Sequence, residues 1–167
     1  MRHTADYWRK KLQLVAHVEG GSFKEIYRSP LILATEQLPS GFAGNRNCCT
    51  GIYFLLERGQ FSAFHRIASD EQWHFYFGDP LTVFEIEKNG QLKEHTLGKD
   101  PQRSEHFHCA IQAGSWFAST VSPGGEYSLV GCTVAPGFDY ADFQLANRED
   151  LIEQFPQHSS LITSLTR

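Results

Sequence analysis

The spacing of apolar positions changes along the chain. Tyr7, Trp8, Lys11, Leu12 and Val15 recur at intervals of three and four, one stripe of a short helix with Thr4 placed as its N-cap. Gly20 and Gly21 are expected to stop that helix. The pattern then becomes strand-like over Phe23 to Tyr27, Thr50 to Leu56, Phe61 to His65, Trp73 to Phe77 and Leu81 to Ile86. Further short runs cover His106 to Ile111, Trp116 to Val121 and Tyr127 to Val134, with turn signals at Ala113-Gly114 and Pro123-Gly124-Gly125. Thr82 to Glu87 and Leu92 to Thr96 flank Asn89-Gly90, which predicts a tight hairpin. Asn147 opens a second helix with Glu149 and Asp150 in its first turn and a stop at Pro156, and a last helical turn is expected around Leu161 to Leu165. About eight strands between short terminal helices predict an all-β antiparallel sandwich or barrel.

With 167 residues and no repeat or linker, the chain reads as a single domain over 1–167. Fifteen Lys and Arg against nineteen Asp and Glu give a net charge of -4, which argues against a nucleic-acid partner. The longest apolar run, Ile52 to Leu56, is far too short to span a membrane. Met1 is followed by Arg2, His3 and Asp6 with no apolar signal centre, so a cytoplasmic location is expected. Cys48, Cys49, Cys109 and Cys132 lack metal or disulfide spacing and read as buried thiols.

One segment carries more than patterning. Gly59, five residues, His65, one residue, Ile67, three residues, Glu71, six residues and Gly78 resembles the first motif of the cupin superfamily, with Ile67 in place of its second histidine. Gln112 to Phe117 is the best counterpart of the second motif, keeping Gly114 but carrying Phe117 where a third histidine would stand. The flanks Glu19-Gly20-Gly21-Ser22-Phe23, Asp70-Glu71-Gln72-Trp73-His74 and Val130 to Phe138 are similar to the cupin-five family of small uncharacterised proteins, over about Tyr7 to Arg167. The resemblance implies a double-stranded β-helix jelly roll, commonly paired as a homodimer, and no established reaction. Two of the motif's four ligand positions are apolar, so no metal and no cofactor are expected.

Strand alternation turns His65 and position 67 to one interior face, and turns Glu71, Trp73 and Phe75 inward while His74 and Tyr76 face out. His65 is the candidate acid or base, and Glu71 the carboxylate expected to orient it. Trp73, Phe75, Trp116 and Phe117 are candidates for an aromatic pocket wall, and Tyr53, Tyr127, Cys132 and Glu19 for its polar edges. Pro136 to Asp139 reads as a tight turn leading to the terminal helix. His106 and His108 read as surface residues.

Three function classes stay open. One is a metal-independent isomerase or epimerase of a small polar, sugar-like substrate, with His65 moving the proton and Glu71 orienting it, as in the deoxysugar epimerases of the same superfamily. The second is a non-catalytic ligand-binding module. The third is a metal-dependent enzyme using His65, Glu71 and a displaced third ligand such as His74.

Overall fold

The computed structural model describes residues 3–167. Thr4 caps helix α1 (Ala5–Leu12), its hydroxyl accepting from the Tyr7 N–H at 3.2 Å. The helix ends earlier than the glycines predict. Gln13 takes a left-handed conformation at φ 57° and its N–H reaches back to the Arg9 and Lys10 carbonyls, which closes the last turn. Val15–Ala16 then forms β1, pairing with Ser22 and Phe23 of β2 (Ser22–Arg28), so Gly20 and Gly21 make a hairpin turn.

Two short strands, β3 (Ile32–Leu33) and β4 (Arg46–Asn47), pair with each other. The main framework follows: β5 (Thr50–Glu57), β6 (Phe61–Arg66), β7 (Asp70–Gly78), β8 (Leu81–Ile86) and β9 (Leu92–Leu97). Then come β10 (His108–Ile111), β11 (Trp116–Val121), β12 (Tyr127–Ala135) and β13 (Gln144–Leu145). One sheet runs β1-β2-β5-β12-β7-β10 and the other β13-β6-β11-β8-β9. All the ladders in both are antiparallel, the jelly-roll arrangement of two facing sheets. The Asn89-Gly90 hairpin forms as expected, with Ile86 opposite Leu92 and Gly90 at φ 84°.

Three apolar layers result. Between the sheets lie Phe54, Leu56, Ile67, Trp73, Leu81, Val83, Phe117 and Val130. Outside the first sheet, Leu55, Tyr127 and Leu129 meet Trp8, Leu12 and Leu14 of the α1 region. Outside the second, Phe64, Ile86 and Trp116 meet Leu151 and Phe155 of the α2 (Arg148–Gln154) region, and Ile162 and Leu165 of the α3 (Ser159–Ser164) region. The uninterrupted run Ile52 to Leu56 is thereby explained: β5 is covered on both faces, so alternation with polar residues is lost.

Both Cys109 and Cys132 are buried, whereas Cys48 and Cys49 are half-buried, because they precede β5 in a loop instead of entering the core. No helix among the described residues is long and apolar enough to cross a membrane.

Candidate functional site

At one end of the sandwich the sheets part around a cavity of about 240 Å3. Glu71 enters from β7, Thr50 and Ile52 from β5, Cys132 and Val134 from β12, and His65 from β6. The inward face of β2 supplies Phe23 and Glu25, and a bulge between Glu25 and Tyr27 shifts the register so that Arg28 lies on the same wall.

The β1–β2 turn brings His17 and Glu19. Gly20 is what lets this turn lie close: it sits at φ 118°, and a Cβ there would stand 2.1 Å from the Phe61 carbonyl oxygen. The turn is fastened by the Ala63 N–H donating to the Glu19 carbonyl at 2.8 Å.

Glu19 is therefore the partner of His65, with Oε2 3.1 Å from Nε2. Sequence reasoning gave that place to Glu71; strand geometry instead seats Glu71 beside Cys132, whose thiol is hydrogen-bonded to it. The tautomer of His65 follows from its second contact. Nδ1 lies 2.8 Å from the Ala63 carbonyl, which only accepts, so Nδ1 carries the hydrogen and Nε2 presents its lone pair to Glu19. Burial pushes the imidazole down to about 4, so it is neutral at neutral pH. Burial likewise raises the Glu19 carboxyl. A protonated Glu19 donating to His65 Nε2 satisfies both, while Ser62 Oγ donates to Glu19 Oε1 at 2.9 Å.

Glu71 is pushed up to about 8, first by burial and then by the like charge that Glu19 carries whenever it ionises. The near-neutral group of the site is thus Glu71, and not His65, the candidate acid or base, whose burial takes its titration well below neutrality. His17 also falls below the ordinary imidazole range through burial.

The aromatic candidates are dispersed. Trp73 and Phe117 pack in the inter-sheet core, Phe117 against the His65 ring at 4.1 Å. Trp116 lies under the terminal helices with Arg66 stacked on it at 4.6 Å. Phe75 faces a second cleft of about 520 Å3 beside Phe107. Tyr53 and Tyr127 are on the outer face of the first sheet, where Trp8 Nε1 donates to the Tyr127 hydroxyl at 3.3 Å. His74 also faces outward, bonded to Thr133 and stacked on His108 at 4.9 Å.

The rings that do reach the cavity are Phe23, Phe138 and Tyr140. The last two belong to a segment that is more than a turn. After β12 the chain folds back along the cavity mouth, held by Gly137 N–H to Asn47 O at 2.7 Å and Phe138 N–H to Thr50 Oγ1 at 2.9 Å. A two-point pair completes it, Arg46 Nε and a terminal nitrogen donating to the Asp142 carboxylate at 2.6 and 2.5 Å. Phe143 from this segment covers the His65 ring at 5.4 Å.

Residues 6–146 match the family described as Cupin superfamily (DUF985). The chain belongs to the cupin superfamily. It is 32% identical over 147 residues to the uncharacterized protein YML079W of Saccharomyces cerevisiae, covering 83% of this chain and 73% of that one. A hypothetical protein from Leishmania major is similar at 35% identity and a TM-score of 0.90, covering 98% of this chain and 99% of its own. Protein SO0799 from Shewanella oneidensis is similar at 39% identity and 0.87, covering 99% and 98%. Oxalate decarboxylase from Bacillus subtilis shares the fold alone, at 13% identity and 0.54 over 90% of this chain and 36% of that one.

A transition metal is a common occupant of this fold, and the donor set of this cupin does not fit one. Ile67 and Phe117 stand at two of the motif positions and are packed in the apolar core. His65 directs its free nitrogen at Glu19, and among the described residues no three His, Cys, Asp or Glu side chains converge as a metal ion requires.

His17, Phe23, Arg28, Phe138, Asp139 and Tyr140 join the site without having been singled out for it. Only the loop-rich run after β12 carried any signal, since binding residues gather on loops at a barrel mouth.

Proposed function

We propose that this cupin binds a small polar organic molecule in the Glu19–His65–Glu71 cavity and moves a proton on it without a metal, as an isomerase or epimerase. The observation that carries the reading is the single cavity shared by a protonatable Glu71 and the Glu19–His65 pair at 3.1 Å. Acid–base catalysis needs a donor and an acceptor held on one substrate, with pKa values drawn toward the working pH.

In the proposed step a ligand C–H beside a carbonyl gives its proton to Glu19 Oε1 while Glu19 passes the proton on Oε2 to His65 Nε2. The electron pair left behind moves onto the carbonyl oxygen, which takes the proton of Glu71. On a hydroxycarbonyl ligand, Glu19 then gives its Oε1 proton to the former carbonyl carbon and recovers the proton held on His65 Nε2, while the hydroxyl on the other carbon becomes the new carbonyl by passing its proton to Glu71; this completes an isomerisation and restores every group. At about 240 Å3 the cavity is below the usual range of ligand pockets, roughly 300 Å3 and more, so a compact metabolite is the fitting size.

The experiment joins a thermal-shift panel of small carbonyl metabolites to NMR detection of hydrogen exchange from deuterated water into any ligand found. His65→Asn and Glu71→Gln are expected to slow exchange by about a hundredfold or more while ligand still binds. Binding with no exchange in the native protein would leave a binding module; a panel with no stabilising ligand would remove the reading altogether.

A further inference from the structure

The ionisable groups around the cavity are unbalanced in sign. Glu19, Glu25, Glu71 and Asp139 bring four carboxyls to the wall, against the single guanidinium of Arg28. Arg28 is committed through four of its five N–H groups. Its Nε and one terminal nitrogen donate to Glu25 at 3.0 and 2.7 Å, and the other terminal nitrogen donates to Asn47 Oδ1 at 2.8 Å and to the Phe138 carbonyl at 3.3 Å. Arg167 acts on Glu19 from outside the wall and donates to the Val18 carbonyl at 3.1 Å. His17 and His65 are held neutral by burial, and the remaining titratable wall groups are the Cys132 thiol and the Tyr140 hydroxyl.

Glu71 is 8% exposed and has a thiol as its partner. A thiol is a weak donor, so this buried carboxyl keeps most of its accepting capacity for whatever enters the cavity. Three ring faces stand nearby: Phe23, edge-on to His17 at 4.5 Å, and Phe138 with Tyr140, their centroids 5.0 Å apart.

Buried carboxyls without a countercharge are costly to ionise. A cation entering the cavity supplies that countercharge, whereas an anion meets four carboxyls and no uncommitted positive group. Aromatic faces also attract cations through their ring quadrupoles. We propose that the ligand of this cavity is a small organic cation, a primary ammonium compound with an apolar or aromatic body, whose N–H groups donate to Glu19 and Glu71. The assignment rests on the reading of this cavity as a ligand site and names the charge class that site selects.

Three probes of one shape and different charge test it: benzylammonium, benzyl alcohol and benzoate, titrated calorimetrically into the native protein at neutral pH. Benzylammonium is expected to bind at least about tenfold more tightly than benzyl alcohol, with benzoate weakest. Glu71→Gln is expected to erase the preference by weakening benzylammonium binding, and Glu19→Gln serves as the second variant should the first not fold. Equal or tighter binding of benzyl alcohol or benzoate overturns the cation assignment and leaves the cavity standing as a ligand site. Binding of none of the three also overturns the assignment, and the thermal-shift panel then decides on the cavity itself. Benzylammonium binding that is undiminished in Glu71→Gln and Glu19→Gln places the cation elsewhere and overturns the proposal as well.

Discussion

His65 and Glu71 sit in one cavity and are displaced in opposite senses by the same cause, loss of water. The imidazole ionises by gaining a charge on its nitrogen side and is held down to about 4; the carboxyl ionises by losing its proton and is held up to about 8. Each leaves a signature in stability against pH. An unfolded glutamate ionises near 4.5, so from there up to about 8 the unfolded state holds fewer protons than the folded one, and stability falls as pH rises. An unfolded histidine protonates near 6.5, so stability falls as pH drops from there toward 4. Between 4.5 and 6.5 the two slopes oppose each other, and above 6.5 the carboxyl acts alone. Glu71→Gln is accordingly expected to be the more stable protein at pH 8, by one to a few kcal/mol at a slope of at most about 1.4 kcal/mol per pH unit, with the difference vanishing below pH 4.5. Chemical denaturation across pH checks this, and an unchanged slope between pH 6.5 and 8 in the variant would show that Glu71 is not the titrating group.

Among the elements, the β1–β2 turn places Glu19, and Gly20 is its narrowest point. Gly20→Ala combines a disfavoured φ with a Cβ driven into the Phe61 carbonyl, so a loss of about 2 kcal/mol or more and a displaced Glu19 are expected. Gly59 offers the contrast: its φ is 81° with nothing within 4 Å of an added Cβ, and Gly59→Asn is expected to cost under about 1 kcal/mol. Equal losses in thermal unfolding would show that the close approach at Gly20 does not matter. The same elements show what one-dimensional reading reaches. Leu81–Ile86 and Trp116–Val121 were legible to the residue because apolar runs end in strong turn signals. His65 and Glu71 were legible because a fixed spacing on alternating strands sets their common face. The two-residue strands β1 and β13 were not, since two residues carry no periodicity; β1 exists by pairing across its hairpin with Ser22 and Phe23, and β13 by pairing with His65 and Arg66 far away in sequence. The β2 bulge that brings in Arg28, the outward turn of Tyr53 and Tyr127, and the fold-back of Phe138 and Tyr140 are likewise set by tertiary contact.

Across the whole molecule, both outer sheet faces are partly covered by helices, yet Ile26, Tyr27, Leu31 and Ile32 are each about half exposed or more, at 48%, 52%, 60% and 51%. So much apolar surface on β2, on the start of β3 and on the loop between them, next to a sheet edge, favours a second copy as its cover. Light scattering at micromolar concentration is expected to give twice the 18.9 kDa chain mass, with Leu31→Glu shifting it to the monomer; a monomeric native protein would count against this. The Arg46–Asp142 pair belongs to the same scale, because it joins segments 96 positions apart in the chain and pins the aromatic segment at the cavity mouth. Its consequence is temporal. If the cavity takes a ligand, a rim fastened by Arg46 and Asp142, neither of which lines the cavity, is expected to slow its entry and exit alike. Stopped-flow measurement on Asp142→Asn is expected to show arrival and departure quickened together with Kd nearly unchanged, whereas a change in Kd at constant rates would mean that the clasp shapes the cavity and does not time it.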